Sequence, residues 1–410
     1  MVISSPPTPC HAPAPNPNGR QETLVSDPVM TQPTTTLHIS DRAALAAALR
    51  SPYPVLTHIN ADTTWLLHLP YPEDAAQPVG RRRRHRFNVL LDPWLQGPQS
   101  DVASWFSTQW HVVAPSMQTI SELNALLGEL EREIGEDGVG AAVTPGETQE
   151  VVSAQDRQQS DDDSDDDESY IDVVAISHEF TDHCHEATLR ELPRSTPVFA
   201  PDKAAALIRS WKHFDTVVET PAFLATETRD WRKALSLAPL PPWVGIGRVV
   251  TPGNALYYHS AVMVAWVSSG SGSTTGSEGE RRGGDAVIYS PHGIHAGDLA
   301  GVQGAGLRTL ALLHGLDDVR IWMAKQLNLG AVNGVAAARE CGAKYWVATH
   351  DEVKKGGGFI APLLRRTRWS VADAVKREGQ KRTADGKEGG EQQAGYEFVE
   401  LGSGDGLVFA

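Results

Sequence analysis

The chain has 410 residues, of which 40% are hydrophobic and 21% charged, with a formal net charge of −15 and three cysteines. That length can bury one large core or two ordinary ones, and the composition is that of an ordinary globular protein. The acidic balance argues against a nucleic-acid partner held by a broadly basic surface, and no apolar run approaches the roughly 20 residues that span a bilayer.

Residues 1–35 are proline-rich, carry no apolar signal core, and read as a disordered N-terminal segment. DRAALAAALR (41–50) is a short helix, and the apolar runs VLTHINADTTWLLHL (55–69) and FNVLLDPWL (87–95) read as strands. Between them lies a polar excursion containing GRRRRHR (80–86), a solvated loop or a nuclear address. TISELNALLGELEREIG (119–135) has helical spacing, with Thr119 or Ser121 as cap. From Glu136 to Ser169 the chain is glycine-rich, then acidic, ending in DDDSDDDE; it cannot bury enough apolar surface to offset ordering entropy and reads as a flexible insert.

Order returns at YIDVVAISHEF, a buried strand running into a histidine. AAALIRSW (204–211) is helical, TVVET (216–220) a strand, and GIGRVV through ALYYHSAVMVAWVSS two strands. A second flexible insert (about 269–284) precedes DAVIYSPHG, and TLALLHG (309–315) is the next strand. VRIWMAKQL and VNGVAAARECG read as helices and YWVATHD (345–351) as a strand; beyond 372 the chain becomes a charged, Gly-rich tail ending in a hairpin, YEFVELGSGDGLVF. Strands dominate early and strand–helix alternation appears late, which describes a layered α/β domain over 36–372.

The chemistry concentrates in Ser177-His178-Glu179-Phe180-Thr181-Asp182-His183-Cys184-His185, directly after the buried strand. So many imidazoles and carboxylates in one strand-to-helix loop are costly to bury without a shared partner, and one divalent metal satisfies several together. His259, His292 and His350 each lie beside a predicted strand, where a layered sheet gathers loop residues at one edge. Asp92, at the end of FNVLL, can orient a ligand histidine. Lysines of KKGGG (354–358), beside His350, can contact an anionic substrate. Cys10, Cys184 and Cys341 form no CxxC pair and no even framework, which suits a reducing, cytoplasmic setting; Cys184 reads as a packed thiol.

These positions resemble the metallo-β-lactamase superfamily, and within it the ascorbate-6-phosphate lactonase-like branch, from about Val55 to Val353 with both inserts set aside. LLDPW supplies the early Asp92. The signature HxHxDH is met by His178 through His183 with Phe180 in place of its second histidine, His259 is the next histidine, and His350 in THD is the last. The family's bridging carboxylate falls at SPHG, where Pro291-His292 stand; Gly297-Asp298 lies several residues beyond.

The resemblance implies an αββα four-layer sandwich and zinc, and the departures at Phe180 and Pro291-His292 favour one ion over two. Asp182, His183 and His350 form the intact ligand set; His178, His259 and His292 form a weaker one. It further implies a hydrolase of an ester, lactone or phosphodiester small molecule, with Asp182 and His183 as catalytic residues. Phe180 and His292 support the alternative of a non-catalytic metal-binding scaffold; the acidic and basic tracts support an interaction protein. Oligomeric state is left open.

Overall fold

The computed structural model describes residues 36–76, 84–100, 103–139, 169–224, 230–250, 257–268, 283–321, 325–359, 361–384 and 395–410. The N-terminal segment 1–35, most of GRRRRHR and the bulk of both inserts lie outside these residues.

The strands form two large mixed sheets. In order across the first, the eight strands are Thr36–His38, Asp405–Val408, Val55–His58, Trp65–Pro70, Arg86–Leu91, Val173–Ala175, Val198–Ala200 and Val217–Glu219. The second has seven: Glu397–Val399, Tyr345–Val347, Leu307–His314, Gly284–Ser290, Ser260–Val267, Val244–Val250 and Ala222–Phe223.

Side-chain alternation along each strand assigns the layers. Trp65, Leu67, Leu69, Phe87, Val89 and Leu91 face inward, where they meet Val262, Val264 and Trp266 of the other sheet. Leu66, Leu90 and Val174 point outward to Leu45, Leu49, Leu123 and Leu127 of the helices Arg42–Arg50 and Ile120–Val139. Ala261, Met263 and Ala265 point outward from the second sheet to Trp231, Val335 and Ala338, on the helices Trp231–Leu235 and Ala331–Cys341. Helix, sheet, sheet, helix: this is the αββα sandwich expected from the sequence.

Local chemistry explains the clearest elements. The Asp41 carboxylate accepts from the Ala44 amide at 3.0 Å and starts the first helix. Gly342, at φ 62°, ends Ala331–Cys341 in the left-handed conformation that glycine adopts without penalty. No helix of the described residues is long and apolar enough to cross a membrane.

Three segments differ from expectation. VLTHINADTTWLLHL is a hairpin, Val55–His58 and Trp65–Pro70, because the Asn60 side chain accepts from the amides of Asp62 and Thr64, both at 2.9 Å, and turns the chain. VRIWMAKQL is no helix: Asp317–Ile321 and Lys325–Asn328 pair antiparallel, with Leu364–Arg368 on the other side. Valine and isoleucine on a pleated surface prevail there over a short helical period. The C-terminal residues do not form a hairpin with each other. Val371–Ala384 is helical, Glu397–Val399 extends the second sheet, and Asp405–Val408 pairs with both Thr36–His38 and Val55–His58 in the first.

Parallel pairing sets the position of the site. Arg86–Leu91 runs parallel to Val173–Ala175, and Gly284–Ser290 to Leu307–His314 and then Tyr345–Val347. Asp92, Ser177–His183, His292 and His350 all follow the C-terminal ends of these strands, so both sheets deliver their loops to one edge.

Candidate metal centre

Four imidazoles converge at that edge. The ring centroids of His178 and His183 are 4.0 Å apart, His178 and His292 4.5 Å, His183 and His350 4.9 Å, and His292 and His350 5.0 Å. Their nitrogens and the Asp182 carboxylate fall into two potential ligand groups, His178/His183/His292 and Asp182/His183/His350, each with donor atoms within 4.8 Å of one another. His183 belongs to both. The local turn that presents it is closed by Phe180, whose carbonyl accepts from the amides of His183 and Cys184 at 2.9 and 2.8 Å.

Hydrogen bonding fixes which nitrogen of each ring is free. Asp92, buried and at φ 41°, accepts from the Ser177 amide at 2.7 Å, from the Ser177 hydroxyl, and from His183 Nδ1 at 2.7 Å. Ser177 thus spends its only proton on Asp92, so its oxygen accepts from His178 Nδ1, 2.6 Å away. His292 Nδ1 donates to the Asn328 side-chain oxygen at 2.7 Å. Each Nδ1 is a donor with a fixed partner, which leaves the lone pair on Nε2. Among the described residues, the buried Nε2 atoms of His178, His183 and His292 have no hydrogen-bond partner, that of His183 lying 3.6 Å from Asp182 Oδ1. Three such orphaned acceptors facing one another are what a cation with nitrogen preference requires.

The other group is differently satisfied. His350, at φ 59°, donates Nδ1 to Asp62 at 3.1 Å, and its Nε2 lies 3.9 Å from Asp182 Oδ2. Lys354 reaches between the two carboxylates, with Nζ 2.7 Å from Asp62 Oδ2 and 2.8 Å from Asp182 Oδ2. Its side chain is 7% exposed, and the Trp94 ring lies 5.4 Å from the ammonium. Burial opposes the charged forms of all three groups, but the ion pairs prevail: Lys354 is raised above its ordinary pKa, and Asp62 and Asp182 are lowered below theirs. Burial, together with the neighbouring rings, lowers the pKa of His178 and His292 and keeps those imidazoles neutral. His183 moves the other way: burial would lower it, but Asp182 and Asp92 outweigh that and raise it.

Of the residues anticipated as ligands, His178, Asp182, His183, His292 and His350 are brought together; His259 is not in either group. Its Nε2 bonds the Leu327 carbonyl at 3.1 Å and its ring packs on Tyr258. Burial lowers its pKa to about 4. The strand Lys325–Asn328 accounts for this difference: Leu327 binds His259 and the adjacent Asn328 orients His292. Phe180, in the position of the signature's second histidine, packs edge-on to His178 and against Tyr258. Asp298 sits in a short 3-10 turn, outside both groups, and His185 caps the helix Glu186–Leu189 through Thr188.

Asp62 and Asn328 were not anticipated as parts of the centre. The KKGGG lysines were expected to face an anionic substrate, yet Lys354 faces carboxylates of its own chain. Glu352 fastens the adjoining loop, accepting from the amides of Val112 and Val113 at 2.7 and 2.9 Å and pairing with His111. Val112, Val353 and Phe359 stand out into solvent, each more than 60% exposed.

No protein-family model and no curated protein matches the chain. Among solved structures it is similar to isothiocyanate hydrolase from Delia radicum gut bacteria at 12% identity and TM-score 0.39, covering 86% of this chain and 98% of that one. It is similar to the metallo-β-lactamase fold protein YhfI from Bacillus subtilis at 12% and 0.37, covering 87% and 99%. It is also similar to CmlA, a diiron β-hydroxylase from Streptomyces venezuelae, at 11% and 0.41, covering 87% of this chain and 54% of that one. What the centre can do is therefore derived from its own side chains.

Proposed function

We propose that the protein is a metal-dependent hydrolase of the metallo-β-lactamase type, holding one zinc ion on the Nε2 atoms of His178, His183 and His292. The observation that carries this reading is the set of three buried, partnerless nitrogens, each turned inward by a hydrogen bond on its opposite side. Three imidazole nitrogens suit zinc and leave a fourth position of a tetrahedral site open. An ion bound there would act as a Lewis acid and lower the pKa of its water toward about 7.

The chain's own groups do the rest. Asp92 and Ser177 hold the rings in register, Asn328 fixes His292, and Asp182, beside His183, orients a proton or a polar group of the substrate. The substrate class proposed is an ester, lactone or phosphodiester bond.

Elemental analysis of the purified protein is expected to find about one ion per chain. The ion should be lost in His178→Ala and His292→Ala and kept in His259→Ala, with hydrolysis of an ester, lactone and phosphodiester panel following the same pattern. A wild-type protein without metal, or equal loss in His259→Ala, would overturn the assignment. The engagement of Asp182 by Lys354 favours a second reading, a metal-holding scaffold without turnover; the same panel then shows no hydrolysis by the loaded protein.

A further inference from the structure

We infer that Lys354 is a built-in cation standing where a second metal ion would otherwise bind, so that the centre holds one ion by construction. This inference rests on the three-imidazole site proposed above and goes beyond it.

Asp182 and His350 have donor types that suit a second cation and lie, with the shared His183, within 4.8 Å of one another; since the one lone pair of His183 serves the imidazole site, a second ion would rest on Asp182, His350 and Asp62, the carboxylate behind His350. Two buried carboxylates facing one another demand positive charge, because neither can be left uncompensated away from water. Lys354 supplies that charge, with its Nζ within 2.8 Å of one oxygen of each. A divalent ion using Asp182 Oδ2 would have to displace the ammonium or share that oxygen with it at close range, against like-charge repulsion.

The ammonium is held in place from its own backbone outward. Directly after it, Lys355–Gly357 pairs antiparallel with Thr108–Trp110, and the Lys354 amide bonds the Glu352 carbonyl at 3.1 Å. Glu352 in turn anchors Val112 and Val113 through its carboxylate. The lysine is therefore planted in a small sheet of its own beside the pocket, with the Trp94 face against its head group. The imidazole group, in contrast, has no fixed cation of its own and keeps its three lone pairs. Unequal satisfaction of two neighbouring donor sets makes one of them the ion site and the other a permanent counter-charge.

The test is metal stoichiometry, read by elemental analysis after equilibrium dialysis of the full chain against excess Zn2+. Wild type and Lys354→Arg are expected to take up one equivalent. Lys354→Met, which removes the charge and retains most of the volume, is expected to take up two, and the double variant Asp62→Asn/Lys354→Met to return to one. Two equivalents in wild type, or one in a folded Lys354→Met, would overturn the inference while leaving the three-imidazole site standing. No ion in wild type overturns both. If Lys354→Met fails to fold, wild type and Lys354→Arg still decide: a second equivalent bound by either rejects the role given to the lysine. Co2+ absorption spectra provide an independent readout, one tetrahedral signal in wild type and an added, weaker high-coordinate band in Lys354→Met.

Discussion

The two donor sets around His183 share a ring and a neighbourhood, yet they are prepared for different things. On the His178/His292 side every Nδ1 is tied down and every Nε2 is orphaned, so the polar cost of burial is still unbalanced. On the Asp182/His350 side the charges are already balanced within the chain, by Lys354 between Asp62 and Asp182. Counting ligand-type residues does not distinguish the two. What distinguishes them is how much of each donor's hydrogen-bonding capacity is already spent.

The most severe way to break the comparison is to remove a ring from the orphaned set. His178→Ala or His292→Ala should abolish metal occupancy, whereas His350→Ala should retain it, as elemental analysis would show. Next comes Lys354→Met without added metal. It leaves two buried carboxylates uncompensated and should lower stability by about 3–5 kcal/mol in denaturant unfolding, recovered on adding Zn2+. A smaller effect is expected from the orienting partner: Asn328→Ala should weaken metal binding about 10–100-fold in chelator competition, with the fold intact. If Asn328→Ala leaves affinity unchanged, His292 is not oriented in the way described.

The gentlest probe uses histidines outside the centre. His58 and His68 are held in the core by hydrogen bonds to Leu401 and Asn88, and burial lowers the pKa of each to about 4. Both are neutral when folded but gain a proton near pH 6.5 when unfolded, so the unfolded state binds more protons between those values. Stability is therefore full above about pH 6.5 and is lost as pH falls toward 4, by up to about 1.4 kcal/mol per pH unit for each ring. His68→Gln should flatten that slope in pH-dependent thermal melts.

Much of this architecture was legible in the sequence, but only where local pattern and tertiary role agree. The buried strand into Ser177-His178 and the Asp-His pair at 182–183 announce themselves by charge packed into an apolar context, and Asp92 by its place at a strand end. His350 is readable in the same way. His292 was anticipated as well, but the exclusion of His259 was not legible. It depends on the pairing of Asp317–Ile321 with Lys325–Asn328, whose sequence also suits a helix, and only the paired form places Leu327 and Asn328 against two different histidines. Asp62 was hidden for a related reason, since an apparently continuous strand run contains the Asn60 turn that exposes it. Lys354 sits in a glycine-rich stretch that suggests solvent, and its inward course is dictated by the short sheet with Thr108–Trp110.

The position of Asp405–Val408 has a kinetic consequence. Thr36–His38 and Val55–His58 never touch as a ladder; each pairs instead with this distant segment lying between them. Loop closure over nearly the whole domain must precede those pairings, an arrangement that slows folding relative to sheets zipped from neighbouring hairpins. The amides of Thr36–His38 should accordingly be among the last to acquire protection in pulse-labelled refolding, and the first to exchange when the native sandwich breathes.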